Sequence, residues 1–172
     1  MHSVCAEIMK VTLGRTLEWK GRVYRCALGA AGVRVAKREG DMATPEGCFP
    51  LRRLLYRPDR ESAPESGLPA AAIERDDGWC DDPADPFYNR PVTLPYPARA
   101  EALWRDDRLY DLLIVLGHND DPVRPGAGSA IFLHLAAGDF ESTEGCVALK
   151  RSDFLEIVKS CDTETKLCVV GR

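Results

Sequence analysis

Two short apolar runs place the narrowest limit on what this chain can fold into. Leu112–Leu116 reads L-L-I-V-L and Ile131–Leu135 reads I-F-L-H-L. Both are too short for a helix and carry no polar alternation, so each predicts a strand covered on both faces. The first stops at Gly117, and the second follows the turn segment Pro125-Gly126-Ala127-Gly128-Ser129. Cys146–Leu149 and Lys166–Val170 read as two further strands. At the other end, Val11–Leu13, Thr16–Trp19 and Arg22–Leu28 are β-rich and broken at Gly14 and Lys20-Gly21, as in hairpins. Val33–Lys37 extends that pattern, with Val33 and Val35 alternating. Ser152 is the expected N-cap of a helix whose apolar face carries Phe154, Leu155 and Val158. From about Arg57 to Tyr96 the chain is rich in Pro, Asp and Gly and lacks periodicity, which predicts a long irregular loop. Helices do not alternate with strands, which disfavours a doubly wound sheet. The expectation is a mainly β fold with one or two short helices, built as a single domain over residues 1–172.

Composition removes several function classes. The 172 residues include 23 basic and 27 acidic side chains, a net charge of −4. A nucleic-acid binder needs a basic footprint, and this chain has none in its overall balance. No stretch is long and apolar enough to span a bilayer as a helix. Met1–Lys10 contains Glu7 and no apolar block, so no secretory signal is expected there. Seven cysteines without a C-x-x-C pair speak against a zinc knuckle. Most are expected to be small buried hydrophobes. If one is a reactive thiol, the other six can pair in fifteen ways that the sequence does not rank. The acidic cluster Asp76-Asp77 and Asp81-Asp82 fits no calcium-loop spacing, so solvated loop carboxylates rather than a metal site are expected there.

Chemistry-bearing residues are few. His2 sits at the terminus, and His118 follows the first buried run, where a strand end would present it either to a cleft or to Asp120 or Asp121 in a turn. His134 stands inside the second run. Twelve positions later, Thr143-Glu144-Gly145-Cys146 places a cysteine behind a glycine. A neighbouring imidazole can take a thiol proton and return it to a leaving group. The glycine leaves room for a substrate carbonyl and lets backbone N–H groups turn toward it. On spacing alone, a core cysteine beside a hydrogen-bonded histidine is the more ordinary outcome.

A second motif shifts that balance. Thr44-Pro45-Glu46-Gly47-Cys48-Phe49 gives T-P-x-G-x-F, a Pro-Gly turn feeding a strand, upstream of H…[ST]-x-G-C. Together with Y-N-R-P-V and L-G-H-N-D-D-P…G-S-A-I-F-L-H, this combination resembles the L,D-transpeptidase (YkuD-type) catalytic domain from about Val33 to Val170. The resemblance implies a β-sandwich or barrel-like catalytic fold acting on peptidoglycan stem peptides, with no cofactor. It implies Cys146 as nucleophile, His134 as base oriented by the Leu135 carbonyl, and an oxyanion held by the N–H groups of Glu144, Gly145 and Cys146. A Cys146 thiol that ionises more readily than a free one follows from the same reading.

Two positions depart from the family's pattern. Glu144 stands where many members have His, and Ala148 where many have Arg or Asn. Glu144 is expected to face solvent or to bind an acceptor ammonium. Arg90 is the candidate for a stem-peptide carboxylate, or else pairs with Asp81 or Asp82. Tyr88, Asn89 and His118 are further candidate substrate contacts, and Trp79–Arg90 is expected to border the cleft, with Trp79, Phe87 and Tyr88 as an aromatic wall. The implied partners are stem peptides and the implied location is the cell envelope, with the chain as a monomer. Alternatives from the same residues are an L,D-carboxypeptidase or amidase using water, or a wall-binding domain without catalysis.

Overall fold

The computed structural model describes residues 6–171. His2 and Cys5 lie outside them. Eight strands hydrogen-bond in a closed ring: β11 (Leu112–Leu116), β12 (Phe132–Leu135), β13 (Val147–Leu149), β3 (Arg22–Ala27), β2 (Thr16–Trp19), β1 (Ile8–Thr12), β14 (Lys166–Val170) and β6 (Gly47–Tyr56), which pairs back onto β11. Closure leaves this ring without a free edge. β6 serves two neighbours by dividing its length. Gly47–Pro50 pairs with β14, Leu51–Tyr56 pairs with β11, and a register shift at Val115/Leu116 takes up the bend. β7 (Ala70–Ala72) lies along the other edge of Leu54–Tyr56. The pairs β1–β14 and β12–β13 are parallel.

The doubly covered strands have a simple origin. Leu112, Ile114, Leu116, Ile131, Leu133, Leu135, Val147 and Leu149 share one apolar cluster with Met9, Val11, Leu17 and Leu167 from the other side of the ring. Their intervening neighbours Leu113, Val115 and Phe132 belong to a second cluster on the barrel's outer face. That second cluster is completed by Ile73 and Trp79, from the segment read as an irregular loop, and by Leu103 and Tyr110 just beyond it. The segment is more ordered than its composition suggests. It carries β8 (Asp77–Cys80) and β9 (Pro91–Thr93), which with β10 (Ala100–Ala102) just beyond it form a three-stranded antiparallel sheet centred on β8. Strands this short show no periodicity, and their Pro and Asp residues signal turns whether or not a sheet joins them. Arg57 anchors the segment, with its guanidinium 3.8 Å over the Trp104 ring and bonded to both Asp59 oxygens at 2.9 Å.

Two smaller expectations are corrected. Val33–Lys37 contributes only the two-residue β4 (Val33–Arg34), paired in parallel with β5 (Thr44–Pro45), and Val35 is exposed because nothing covers it. Helix α1 (Arg151–Val158) starts one residue before Ser152, so Lys150 takes the cap position without a side-chain bond. Its buried face is Phe154, Ile157 and Val158, with Leu155 at the margin.

The cysteines divide as well. Cys48 and Cys168 stand opposite each other in the β6–β14 register and form a disulfide. Of these two, Cys48 is exposed rather than a buried apolar residue. Among the described residues, Cys26, Cys80, Cys146 and Cys161 are free and buried.

Candidate active site

The parallel pair β12–β13 sets the geometry. Leu133 pairs with Val147 and His134 with Ala148, so Cys146, one residue before β13, falls beside Phe132. Leu133, Leu135 and Val147 point into the barrel, which sends Phe132, His134 and Cys146 to its outer face. The outer face here is roofed by the inserted sheet rather than by water. Between roof and barrel lies a cleft of about 510 Å³ lined by both His134 and Cys146.

Each group is held from its own backbone neighbourhood. His134 Nδ1 lies 2.8 Å from the Leu135 carbonyl oxygen. A carbonyl only accepts, so the proton is on Nδ1 and Nε2 carries the lone pair. The Tyr110 ring packs edge-on against the imidazole, 5.3 Å between centroids, and its hydroxyl donates to Glu101 at 2.6 Å. Cys146 Sγ accepts from the Phe132 N–H at 3.3 Å, while its S–H faces the Ala130 carbonyl at 3.2 Å.

The turn that presents Cys146 is fastened by Thr143. Its hydroxyl donates to the Cys146 carbonyl at 2.6 Å and accepts from the Gly145 N–H at 3.1 Å. That engagement removes Gly145 N–H from the expected oxyanion donors. The N–H groups of Glu144 and Cys146 take no part in the hydrogen bonds among the described residues. T-P-x-G-x-F acts from below. Thr44 Oγ1 accepts from the Gly29 N–H at 2.9 Å, and the Ala43 carbonyl presses against Gly145. A Cβ on Gly145 would lie 2.8 Å from that carbonyl oxygen, and its φ of +144° is strained for any L side chain. Gly145→Ala is therefore expected to lose about 1–3 kcal/mol of stability, read as a lower urea midpoint at unchanged slope.

Electrostatics correct the thiolate expectation. Burial pushes the Cys146 thiol up to about 12, and the carboxylates of Glu101 and Glu144 add to the rise. Burial likewise brings His134 down to about 4. Among the described residues the sulfur's hydrogen bonds go to backbone groups of Phe132 and Ala130, and Lys37, which lines the cleft, is taken by Asp41. At neutral pH the resting pair is thus a thiol and an uncharged imidazole.

A model of the L,D-transpeptidase catalytic domain, YkuD, matches residues 9–170. The chain belongs to that family. No curated protein sequence matches it. Among solved structures it is similar to the helical cell shape determining protein Pgp2 from Campylobacter jejuni, at 16% identity and TM-score 0.46, over 96% of this chain and 47% of that one. It is also similar to L,D-transpeptidase 3 from Mycobacterium tuberculosis in complex with a faropenem-derived adduct, at 12% identity and TM-score 0.44, over 95% and 60%. A third is the LD transpeptidase LdtMt1 in complex with imipenem, at 14% identity and TM-score 0.41, over 96% and 59%. The chain spans between about half and three-fifths of those proteins' lengths.

Within this L,D-transpeptidase domain the remaining candidates do not all reach the cleft. Glu144 lines it and is exposed. Tyr88 is buried and holds the neighbouring turn, its hydroxyl donating to Glu39 and accepting from the Gly128 N–H at 3.0 Å. Asn89 spends its amide on Trp79 Nε1, Ala130 N–H and the carbonyls of His118 and Asn119. Neither is left free to contact a substrate. His118 bonds the Ala127 carbonyl at 2.9 Å rather than Asp120 or Asp121, and packs edge-on to Phe49 away from the cleft. Arg90 lies in a separate groove and pairs with neither Asp81 nor Asp82; Asp81 is taken by Arg99. Of Trp79–Arg90, only Asp81 lines the cleft. Trp79 is buried against Phe132 and Phe87 is exposed, so no aromatic wall forms.

The residues that do complete the lining include Glu101, Arg105 and Tyr110. Arg105 grips Asp107 and lies 3.6 Å from Glu101. Burial raises the Glu101 carboxyl above the ordinary carboxylate value. In sequence, W-R-D-D-R reads as a solvated charge run, and only the folding back of the insert brings it to His134. Among the described residues no group of three or more His, Cys, Asp or Glu side chains converges as a metal site requires, and no helix is long and apolar enough to cross a membrane.

Proposed function

We propose that residues 9–170 form one catalytic domain, a cysteine acyltransferase that cross-links peptidoglycan stem peptides. One observation carries this reading. Cys146 and His134 open into the same roofed cleft, with His134 Nδ1 engaged by Leu135 and Nε2 left as a base. Cys146 Sγ attacks the carbonyl on the L side of an L–D peptide bond as its proton passes to Nε2. The C–N bond breaks, Nε2–H protonates the departing amine of the D-residue, and a thioester remains. An acceptor amine then attacks the thioester, gives its proton to Nε2, and expels the sulfur, which recovers that proton. The backbone N–H groups of Glu144 and Cys146 face the developing oxyanion. Glu144, exposed at the cleft, holds the acceptor ammonium.

Because thiol and imidazole rest uncharged, proton transfer accompanies attack instead of preceding it. The Cys48–Cys168 disulfide supports work in an oxidising compartment such as the envelope. The deciding experiment is mass analysis of products after incubation with purified stem peptides. Dimeric products that vanish in Cys146→Ser support the transferase. Trimmed monomers alone assign an L,D-carboxypeptidase or amidase that uses water, and unchanged peptides assign a wall-binding domain.

A further inference from the structure

The sequence singled out Arg90 as a carboxylate ligand, and the cleft did not absorb it. Arg90 instead borders a second groove of about 330 Å³, within the size range of small-ligand sites. Arg52 and Arg53 of β6 line the groove from the barrel, and Arg90 lines it from the insert. Its floor is apolar, built on Trp79 and Val115. The chain as a whole is acidic, yet this groove gathers three guanidinium groups against the single carboxylate of Asp120. Asp120 is already committed, bonded by Arg52 at 2.8 and 3.1 Å. Among the described residues, Arg53 and Arg90 have no acidic partner and make no side-chain hydrogen bond. Two unneutralised guanidinium forks above an apolar floor suit an anion with an apolar body.

The groove is also next to the nucleophile. Ile131 lines both groove and cleft, and Phe132, which lines the groove, gives its N–H to Cys146 Sγ. Asn89 ties the two regions together by accepting from Trp79 Nε1 and from the Ala130 N–H.

We propose that the groove between Arg53 and Arg90 is a second ligand site, one that takes the terminal carboxylate of a short peptide with the adjoining side chain on Trp79 and Val115. The preference for an anion stands on the groove alone, whereas the peptide as its bearer rests on the proposed function. Such a site holds a peptide end on the outer barrel face while the cleft remains free for the bond that reacts.

The test uses Cys146→Ser protein, which has no thiol to turn over, titrated calorimetrically with N-acetyl-D-alanyl-D-alanine and with its C-terminal amide. The acid is expected to bind saturably and the amide about tenfold or more weakly, the worth of a charge-assisted hydrogen bond. Arg53→Gln and Arg90→Gln, introduced into the same protein, should each weaken the acid about tenfold. Arg90→Lys should fall between, keeping the charge and losing the fork. Glu144→Gln in the cleft should leave the affinity unchanged. Arg90 is exposed and Arg53 half-buried, and neither makes a side-chain hydrogen bond among the described residues, so circular dichroism should show folded variants. The proposal is overturned if the acid does not bind, if acid and amide bind alike, or if the glutamine variants bind as their parent does. Full displacement by equimolar inorganic phosphate also overturns it, since a plain anion patch would behave so. Failure here with active native protein leaves the transferase reading standing, and binding without any activity leaves the groove standing.

Discussion

Replacing Cys146 by serine is expected to lower acyl transfer from stem peptides by at least about 10⁴-fold, because a buried hydroxyl is a far weaker nucleophile than a thiol and the partners act as a unit. Carbapenems mimic the acyl donor of the family this chain resembles. The native protein should therefore gain one drug mass on treatment, and the serine variant none, at unchanged circular dichroism. Peptide mapping identifies the carrier. An adduct on Cys26, Cys80 or Cys161 with Cys146 untouched sinks the assignment. The buried thiol adds a condition on rate. With Cys146 up at about 12, iodoacetamide labelling in the resting protein should be slow at neutral pH and keep rising into the alkaline range. A plateau near neutrality would mean a preformed thiolate and contradict the geometry. Drug acylation depends on His134 taking the proton during attack, so it should not share that steep alkaline dependence.

The barrel was readable because the apolar pattern of each strand has a local cause, alternating in β2 and continuous in β11. Leu112–Leu116 coincides with β11, Thr16–Trp19 with β2 and Lys166–Val170 with β14. Where one face packs inside the ring and the other beneath the insert, every position of the strand is apolar and the run has no ambiguity. His134 showed itself as the polar exception in such a run. What stayed hidden depends on closure. β8, β9 and β10 are three- and four-residue strands whose turn-rich sequence carries no period, and they are held by Trp79, Leu103 and Tyr110 packing on the barrel wall. Glu101, Arg105 and Tyr110 reach the cleft that His134 lines only through that packing, so no spacing marks them. The same cover misled the reading of Cys146. A Gly-Cys turn near a histidine suggests an activated thiolate, but both groups are buried where they line the cleft, and burial leaves each uncharged. Tyr88 and Asn89 occupy the motif positions that suggested substrate contact, yet their polar atoms are used up in bracing the turn around Ala130.

Removing the base should cost less than removing the nucleophile, and pH separates its roles. His134→Ala is expected to lower acylation by about 10²–10⁴-fold, the usual worth of a positioned general base. Nε2 works as a base only when unprotonated, and burial holds His134 at about 4. The kcat/KM profile of the native domain should therefore stay level from neutral pH downward and fall only near pH 4, rather than near the ordinary 6.5 of an exposed imidazole. Stability follows the same group with a definite sign. Between 6.5 and 4 the unfolded chain binds a proton at His134 that the native protein refuses, so stability rises with pH across that window. The contribution is complete above 6.5 and is lost as the pH falls through the window, by about 3 kcal/mol. Neighbouring carboxylates titrate in the same range, so the readout is the difference between native protein and His134→Ala in urea midpoints at pH 4 and pH 7. The variant should lack the imidazole's part of the slope, and its residual activity should lack the limb near pH 4. A variant with near-normal turnover removes His134 from the mechanism, and an acid limb at 6.5 in the native profile shows that the cleft leaves the imidazole hydrated.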